Sequence, residues 1–287
     1  MAVLNPILIE DPNDARISMF RMRDRALNTR ADRRESGGAG LFIAEGDLVV
    51  ERALAAGCVP VGAFVDSVDP PAVVARFGTD AEVFCADEDV RRVGMGLGVP
   101  LSIVALFKRP PRIDPRAVAD RRRVVALEAV DNPVNVGTVV RSAAALGWGG
   151  LLLDRTSADP FARRALRVSM GSSFALPFGR AENLVELVDD ARTAGTLVVA
   201  MTPSARSMPL HSVLPAHRQR VMLVIGSERT GLSPELLEAA SVHASIPMAE
   251  GVDSMNAAAA AAIACYALRP ISRAAIEATI TADTLRW

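Results

Sequence analysis

The sequence predicts an α/β protein in which a parallel sheet covered by helices follows a smaller α/β domain. Three observations predict it. Apolar runs at 123–130, 150–154, 196–202 and 220–226 alternate with helical patterns, as βαβ units require. A shorter alternation precedes them, in "LFIAEGDLVVERALAAG", "VGAFVD" and "AEVFCA". Between the two, "KRPPRIDPRAVADRRR" (108–123) holds three prolines and many charges with little apolar periodicity, the composition of an interdomain linker. The expected division is 1–107, a linker at 108–122, and 123–287.

Each element has a local reason. An arginine-rich helix is expected from Arg16 to Arg34, followed by a strand, a turn at Glu45 and Gly46, and an amphipathic helix closed by Gly57. Strands follow at "VGAFVD" and "AEVFCA", and a helix starts in "ADEDVRRVGMGLG". After the linker come a strand at 123–130, a helix at 135–147 stopped by Gly147 and a strand at 150–154. Asp159 and Pro160 read as the cap and first residue of a helix running to Val168. Next come a helix ending at Gly195, strands at 196–202 and 220–226, and a helix started by Ser233 and Pro234. A short strand at 244–248 and an alanine-rich helix from Ser254 to Leu268 close the series.

With 287 residues, half of them apolar, the chain can bury two ordinary cores. No stretch of 18 apolar residues and no basic, apolar leader stand in it, so a cytoplasmic protein with no membrane partner is expected. Cys58, Cys85 and Cys265 are far apart and read as buried thiols, and His211, His217 and His243 lack metal-ligand spacing, so no metal is expected. A net charge of −1 advertises no polyanion partner, but its distribution is uneven. Arg16, Arg21, Arg23, Arg25, Arg30, Arg33 and Arg34 face only Asp24 and Asp32, and Arg121, Arg122 and Arg123 form a second cluster. Such clusters suit phosphates. Lys108 is the only lysine, however, so the arginines also fit a general compositional bias.

A dinucleotide-binding fold would carry its glycine fingerprint after the first strand, whereas here the glycine-rich turns come late, at "IGSERTGLS" (225–233) and "IPMAEGVDSMN" (246–256). A nucleotide-dependent oxidoreductase is therefore disfavoured. Both turns follow an apolar strand and lead into a capped helix, as "DNPVNVGTVVRSAAALG" (131–147) does. The three loops carry Asn135, Arg141, Glu228, Ser254 and Asn256, polar groups that structural turns do not require together. The plain alternatives are helix N-caps at Asn135 and Ser254 and a snorkelling side chain at Arg141.

Taken in order, "NVGTVVR", "GSERTGLS" and "IPMAEGVDSMN" resemble the three motifs of the SpoU/TrmH family of RNA ribose 2′-O-methyltransferases, within the SPOUT superfamily. "RALRVSMGSSFALPF" (164–178) also resembles this family, and "LFIAEGDLVVERALAAG" is similar to the L30-like substrate-binding domain of its rRNA-modifying members. Met255 replaces the commoner leucine, and Ala257 and Ala258 are smaller than usual. The resemblance implies a parallel SPOUT domain closed by a C-terminal trefoil knot, a homodimer, and S-adenosyl-L-methionine as cofactor. Gly226, Ile246, Met248, Met255, Asn256 and Thr202 would bind the cofactor. Arg141, Asn135, Glu228, Ser254 and Asn256 would form the catalytic set.

Methyl transfer to a ribose hydroxyl is an in-line displacement that demands positioning and charge control. The resemblance gives Arg141 the activation of the 2′-OH. A free guanidinium loses its proton only above about pH 12, so a donor to phosphate or to a developing alkoxide is favoured over a general base. Asn135 would position Arg141 or the ribose, and Glu228 would orient Arg141 or the loop backbone. Ser254 and Asn256 would organise the last loop. The N-terminal domain and its arginines would recognise RNA, with rRNA favoured over tRNA because tRNA members of the family usually lack that domain. A catalytically silent RNA-binding or ribosome-assembly factor is the rival from another class.

Overall fold

Two sheets account for the strand-forming residues, and a computed structural model describes residues 6–28, 40–96, 98–204, 206–214 and 219–269. Arg30, Arg33, Arg34 and His217 lie outside the described residues. The chain divides into two compact units. The first takes the described residues up to Ile113 together with Asn132–Arg141 and Ala158–Ala175, and the second takes Asp114–Asp131, Ser142–Ser157 and the chain from Leu176 onward.

The first unit is built on a five-stranded mixed sheet of β1 (Ile7–Leu8), β2 (Leu41–Glu45), β3 (Pro60–Asp66), β4 (Glu82–Ala86) and β5 (Ile103–Lys108), in the order β1-β4-β3-β5-β2. β1, β4 and β3 are parallel, and β5 runs antiparallel to β3 and β2. Its helices are α1 (Asp24–Leu27), α2 (Asp47–Ala55) and α3 (Glu88–Gly94). Gly57, at φ +79°, ends α2 in the left-handed conformation that favours glycine, and the Asp87 side chain accepts from Val90 N to start α3. Over its described residues, 16–28, the expected arginine-rich helix is instead two short pieces. Ala15–Arg21 is a 3₁₀ helix, and extended backbone at Met22 and Arg23 separates it from α1. Ile17 and Phe20, three residues apart, are both buried against the sheet, which a three-residue turn achieves and an α-helix would not align as well.

The second unit holds a seven-stranded sheet of β6 (Arg123–Leu127), β7 (Gly150–Leu153), β8 (Phe178–Arg180), β9 (Leu197–Met201), β10 (Met208–Pro209), β11 (Val221–Ile225) and β12 (Val242–Ser245). The order is β10-β12-β9-β11-β6-β7-β8, and every pairing is parallel. The helices that follow in the chain are α4 (Pro115–Ala119), α5 (Pro133–Ala145), α6 (Arg163–Val168), α7 (Leu184–Thr193), α8 (Pro234–Glu238) and α9 (Ala257–Ala267). Val124, Ala126, Leu152, Val198, Met222 and Val224 are buried on one side of this sheet, where α7 and α8 supply Leu187, Val188 and Leu236. Within the segment expected to be a linker, α4 is capped by Asp114 and buries Val118. A side chain at Gly150 would strike Val118 Cγ1 at 2.7 Å, and one at Gly179 would strike Pro115 Cα at 2.7 Å, so two glycines admit α4 to β7 and β8.

Several boundaries differ from the sequence expectation. β6 stops at Leu127, and Ala129 takes φ +53°, an uncommon value for a residue with a side chain. α5 begins at Pro133, and the Asn132 side chain accepts from Val134 N at 2.9 Å. α6 begins at Arg163, because Asp159 accepts from Phe161 N at 2.9 Å and so caps a turn at Pro160. The last strand ends at Ser245, leaving Ile246, Pro247 and Met248 in the loop. Arg123, counted with the basic cluster, is buried in β6 and donates to the Leu268 carbonyl at 3.0 Å and to the Gln219 carbonyl. Burial, then the neighbouring Arg122, lowers its pKa from the ordinary arginine value. Among the described residues no helix is long and apolar enough to cross a membrane.

Candidate active site

Three loops leave the carboxyl ends of the adjacent strands β9, β11 and β12, the edge at which parallel α/β sheets bind ligands. They enclose a cavity of about 340 Å³, within the range of small-molecule sites. Thr202, Gly226, Glu228, Ile246, Met248, Ser254 and Met255 line it. Met201, Ser227, Thr230, Leu232 and Ser245 line it too, and sequence reasoning did not single them out. Their signal was position alone, immediately beside a motif residue or a strand end.

The spacing of "GSERTGLS" has a physical cause. The chain folds back so tightly that a Cβ on Gly226 would lie 2.3 Å from the Gly231 carbonyl carbon and 2.5 Å from Leu232 N. Gly231 takes φ +67° and donates to the Ser227 carbonyl at 3.0 Å, while the hydroxyls of Ser227 and Thr230 bond at 2.8 Å. Ser233 then caps α8, and its own N–H donates to the Glu128 carboxylate at 2.7 Å. Glu128, at the end of β6, thus ties that strand to the glycine loop.

The last loop is organised from Asn256. Its side chain accepts from Ala258 N at 3.0 Å and Ala259 N at 3.1 Å, so Asn256, and not Ser254, is the N-cap of α9. The same amide donates to the Glu228 carboxylate, which also accepts from Ala257 N at 3.2 Å. A carboxylate at a helix N-terminus is favourably placed, and here it joins the two loops. Thr202 adds the third loop, its N–H donating to the Ala244 carbonyl at 2.9 Å.

Asn135 and Arg141 stand on α5, in the part assigned to the first unit. Asn135 is buried in the first turn, past Asn132, so it is not the cap. Gly137 explains the middle of "NVGTVVR", since a Cβ there would lie 2.6 Å from the Ala165 carbonyl oxygen. It lets α5 and α6 touch backbone to backbone. Arg141 is exposed and donates to the Val168 carbonyl at 3.5 Å, a long bond. Glu45, expected to shape a turn with Gly46, ends β2 directly before Gly46 at φ +81°, and it is also buried and ion-paired with Arg163 and, at 2.8 Å, with Arg167.

The cavity fits a cofactor with an apolar body and a positive charge. Met201, Ile225, Leu232, Ile246, Met248 and Met255 give apolar walls, the glycine at 226 keeps the backbone edge open, and among the described residues of the lining Glu228 is the one acidic side chain. Among the described residues no group of His, Cys, Asp and Glu could hold a metal ion.

Known proteins resemble this chain in sequence and fold. The profile of the SpoU rRNA Methylase family matches residues 122–266. An uncharacterised tRNA/rRNA methyltransferase of Mycobacterium bovis is 34% identical over 89% of each chain. The 23S rRNA (guanosine(2553)-2′-O)-methyltransferase RlmP of Bacillus subtilis is 28% identical over 85% of this chain and 93% of its own. Among solved structures, an AdoMet-bound rRNA methyltransferase from Sinorhizobium meliloti superposes with a TM-score of 0.74 at 29% identity, covering 91% of this chain and 96% of that one. The SpoU methyltransferase AviRb from Streptomyces viridochromogenes, in complex with AdoMet, gives 0.71 at 25% identity, covering 94% and 99%. With the family profile spanning half the chain and the relatives nearly all of it, this chain belongs to the SpoU family of S-adenosylmethionine-dependent RNA methyltransferases.

Proposed function

We propose that the protein transfers a methyl group from S-adenosylmethionine to a ribose 2′-hydroxyl of ribosomal RNA, in the cytoplasm and as a homodimer. The observation that carries the reading is the cavity at the ends of β9, β11 and β12, walled by all three late loops. The choice of rRNA is supported by the Bacillus subtilis relative, whose name assigns it 23S rRNA and which aligns over 85% of this chain. Exposed Ile263 and Tyr266, three residues apart on α9, offer apolar surface to a second copy. The five-stranded domain serves as the L30-like RNA-binding part, and the C-terminal part of the second unit forms the trefoil knot that the motif resemblance implies.

S-adenosylmethionine, when bound, supplies an electrophilic methyl on a sulfonium. The residues of this chain hold and orient. Thr202, Gly226, Ile246, Met248 and Met255 bind the cofactor through backbone edges and apolar contact. Glu228 and Asn256 keep the two loops registered, and Ser254 completes the rim. Arg141, whose guanidinium makes one long bond among the described residues, keeps donors for a phosphate or for the oxygen that loses its proton. The proton leaves to that phosphate or to water, and Asn135 secures the start of the helix that carries Arg141.

Transfer of tritiated methyl to 16S, 23S and tRNA fractions from a strain lacking the protein tests the reading. One rRNA fraction is expected to yield an alkali-resistant 2′-O-methyl dinucleotide, with at least a hundredfold loss in Arg141→Ala. Labelling of tRNA alone would reassign the substrate. Cofactor binding without labelling of any fraction or intact subunit would instead mean a silent RNA-binding factor.

A further inference from the structure

Among the described residues Arg141 reaches the carbonyl of Val168, which belongs to a segment held by the N-terminal domain. At the start of α6, Arg163 donates its backbone N–H to Asp24 at 3.1 Å and its guanidinium to Glu45, to the Phe20 carbonyl at 3.0 Å and to the Met95 carbonyl at 3.1 Å. Just past its end, Met170 at φ +52° and Gly171 at φ +76° are successive left-handed residues. A non-glycine residue there is strained and persists only where its surroundings fix it. Backbone bonds from Met170 N to the Arg167 carbonyl at 3.1 Å and from Gly171 N to the Leu166 carbonyl at 3.0 Å close this turn, and Arg52 of α2 adds to them by donating to the Met170 carbonyl at 2.6 Å. Its stem also covers Gly171, where a Cβ would lie 3.2 Å from Arg52 Cδ. Val168 stands two residues before Met170, in the same turn.

We propose that Arg52 is a positioning residue for methyl transfer: by holding the Met170 carbonyl it sets the C-terminal turn of α6, and through the Val168 carbonyl it sets the direction of the Arg141 guanidinium. The proposal rests on the reading of Arg141 as the group that acts on the ribose. It gives the N-terminal domain a part in the chemical step in addition to RNA docking. A staple that served stability alone would lower the melting temperature and leave the chemical rate of the folded enzyme intact.

The test is single-turnover methyl transfer by the full chain, with S-adenosylmethionine and 23S rRNA from a strain lacking the protein. Arg52→Ala, Arg52→Lys, Arg52→Gln and Arg141→Ala are compared with wild type. Displacing a catalytic group by about an ångström costs up to about a hundredfold, so Arg52→Ala is expected to slow the step roughly tenfold. Its affinities for RNA and cofactor should stay within about twofold of wild type. Amide exchange over 163–171 should quicken, and Arg52→Lys should recover most of the rate. If Arg52→Ala does not fold, Arg52→Gln, which keeps the stem over Gly171 and removes the charged donor, takes its place in the comparison. An unchanged rate in Arg141→Ala would sink the reading of Arg141. A slow Arg141→Ala beside an Arg52 variant that reacts at the wild-type rate, or that loses only RNA affinity or melting temperature, would overturn the positioning role alone.

Discussion

In the first unit Phe42 stacks on Phe107 at 5.4 Å and on Phe161 at 5.2 Å, and Phe161 stacks on Phe174 at 5.4 Å. The second unit packs its parallel sheet with valine, leucine and alanine, and lets backbones meet other groups closely at Gly150, Gly179 and Gly226. Eight of the nine phenylalanines fall in the first unit, Phe178 alone in the second, so the contrast is a division of labour in side-chain size. Large rings bind segments distant in sequence through a few broad contacts. Small residues allow chain to lie on chain, which a cavity walled by backbone loops requires.

The largest effect should come from the rings. Phe161→Ala is expected to cost about 3–5 kcal/mol in chemical denaturation, while cofactor affinity measured well below the melting temperature stays near wild type. A matching loss of affinity would break the contrast. Gly226→Ala should do the reverse, since its Cβ would have to displace the Gly231 backbone. Titration calorimetry should then show roughly a hundredfold weaker S-adenosylmethionine binding, with a stability loss of about 1–3 kcal/mol. The smallest effect is expected from Asn256→Ala, which removes the α9 cap and one partner of Glu228, for about 1 kcal/mol and a few-fold loss of cofactor affinity.

The parallel core was legible because buried strands such as β6, β9 and β11 carry continuous apolar runs, and the glycine loops were legible because their motif residues answer to local geometry at Gly226 and Gly231. β5 and β8 were not foreseen. β5 pairs with β3 and β2 only by long-range contact, and β8 is three residues long. The start of α6 was misplaced because Asp159 and Pro160 form the same local pattern in a turn as in a helix start. Ser254 and Asn256 were both named, but which one caps α9 depends on where the helix begins. Arg163 carried no signal at all, and Glu45 signalled only a turn, not a buried ion pair. The partners of Arg163 stand 68 to 143 positions away, and no local pattern marks a side chain whose hydrogen bonds are spent at such separations.

The staple at Arg163 bears on engineering. The stretch matched by the family, 122–266, invites excision as a portable catalytic module to be fused to another RNA-binding domain. Cutting there would strip Arg163 of Phe20, Asp24, Glu45 and Met95, and Asp159 of Arg109, while baring the face of Phe161 that Phe42 covers. A chimera that keeps activity must therefore carry the surface of the five-stranded domain that accepts from Arg163, along with the motifs.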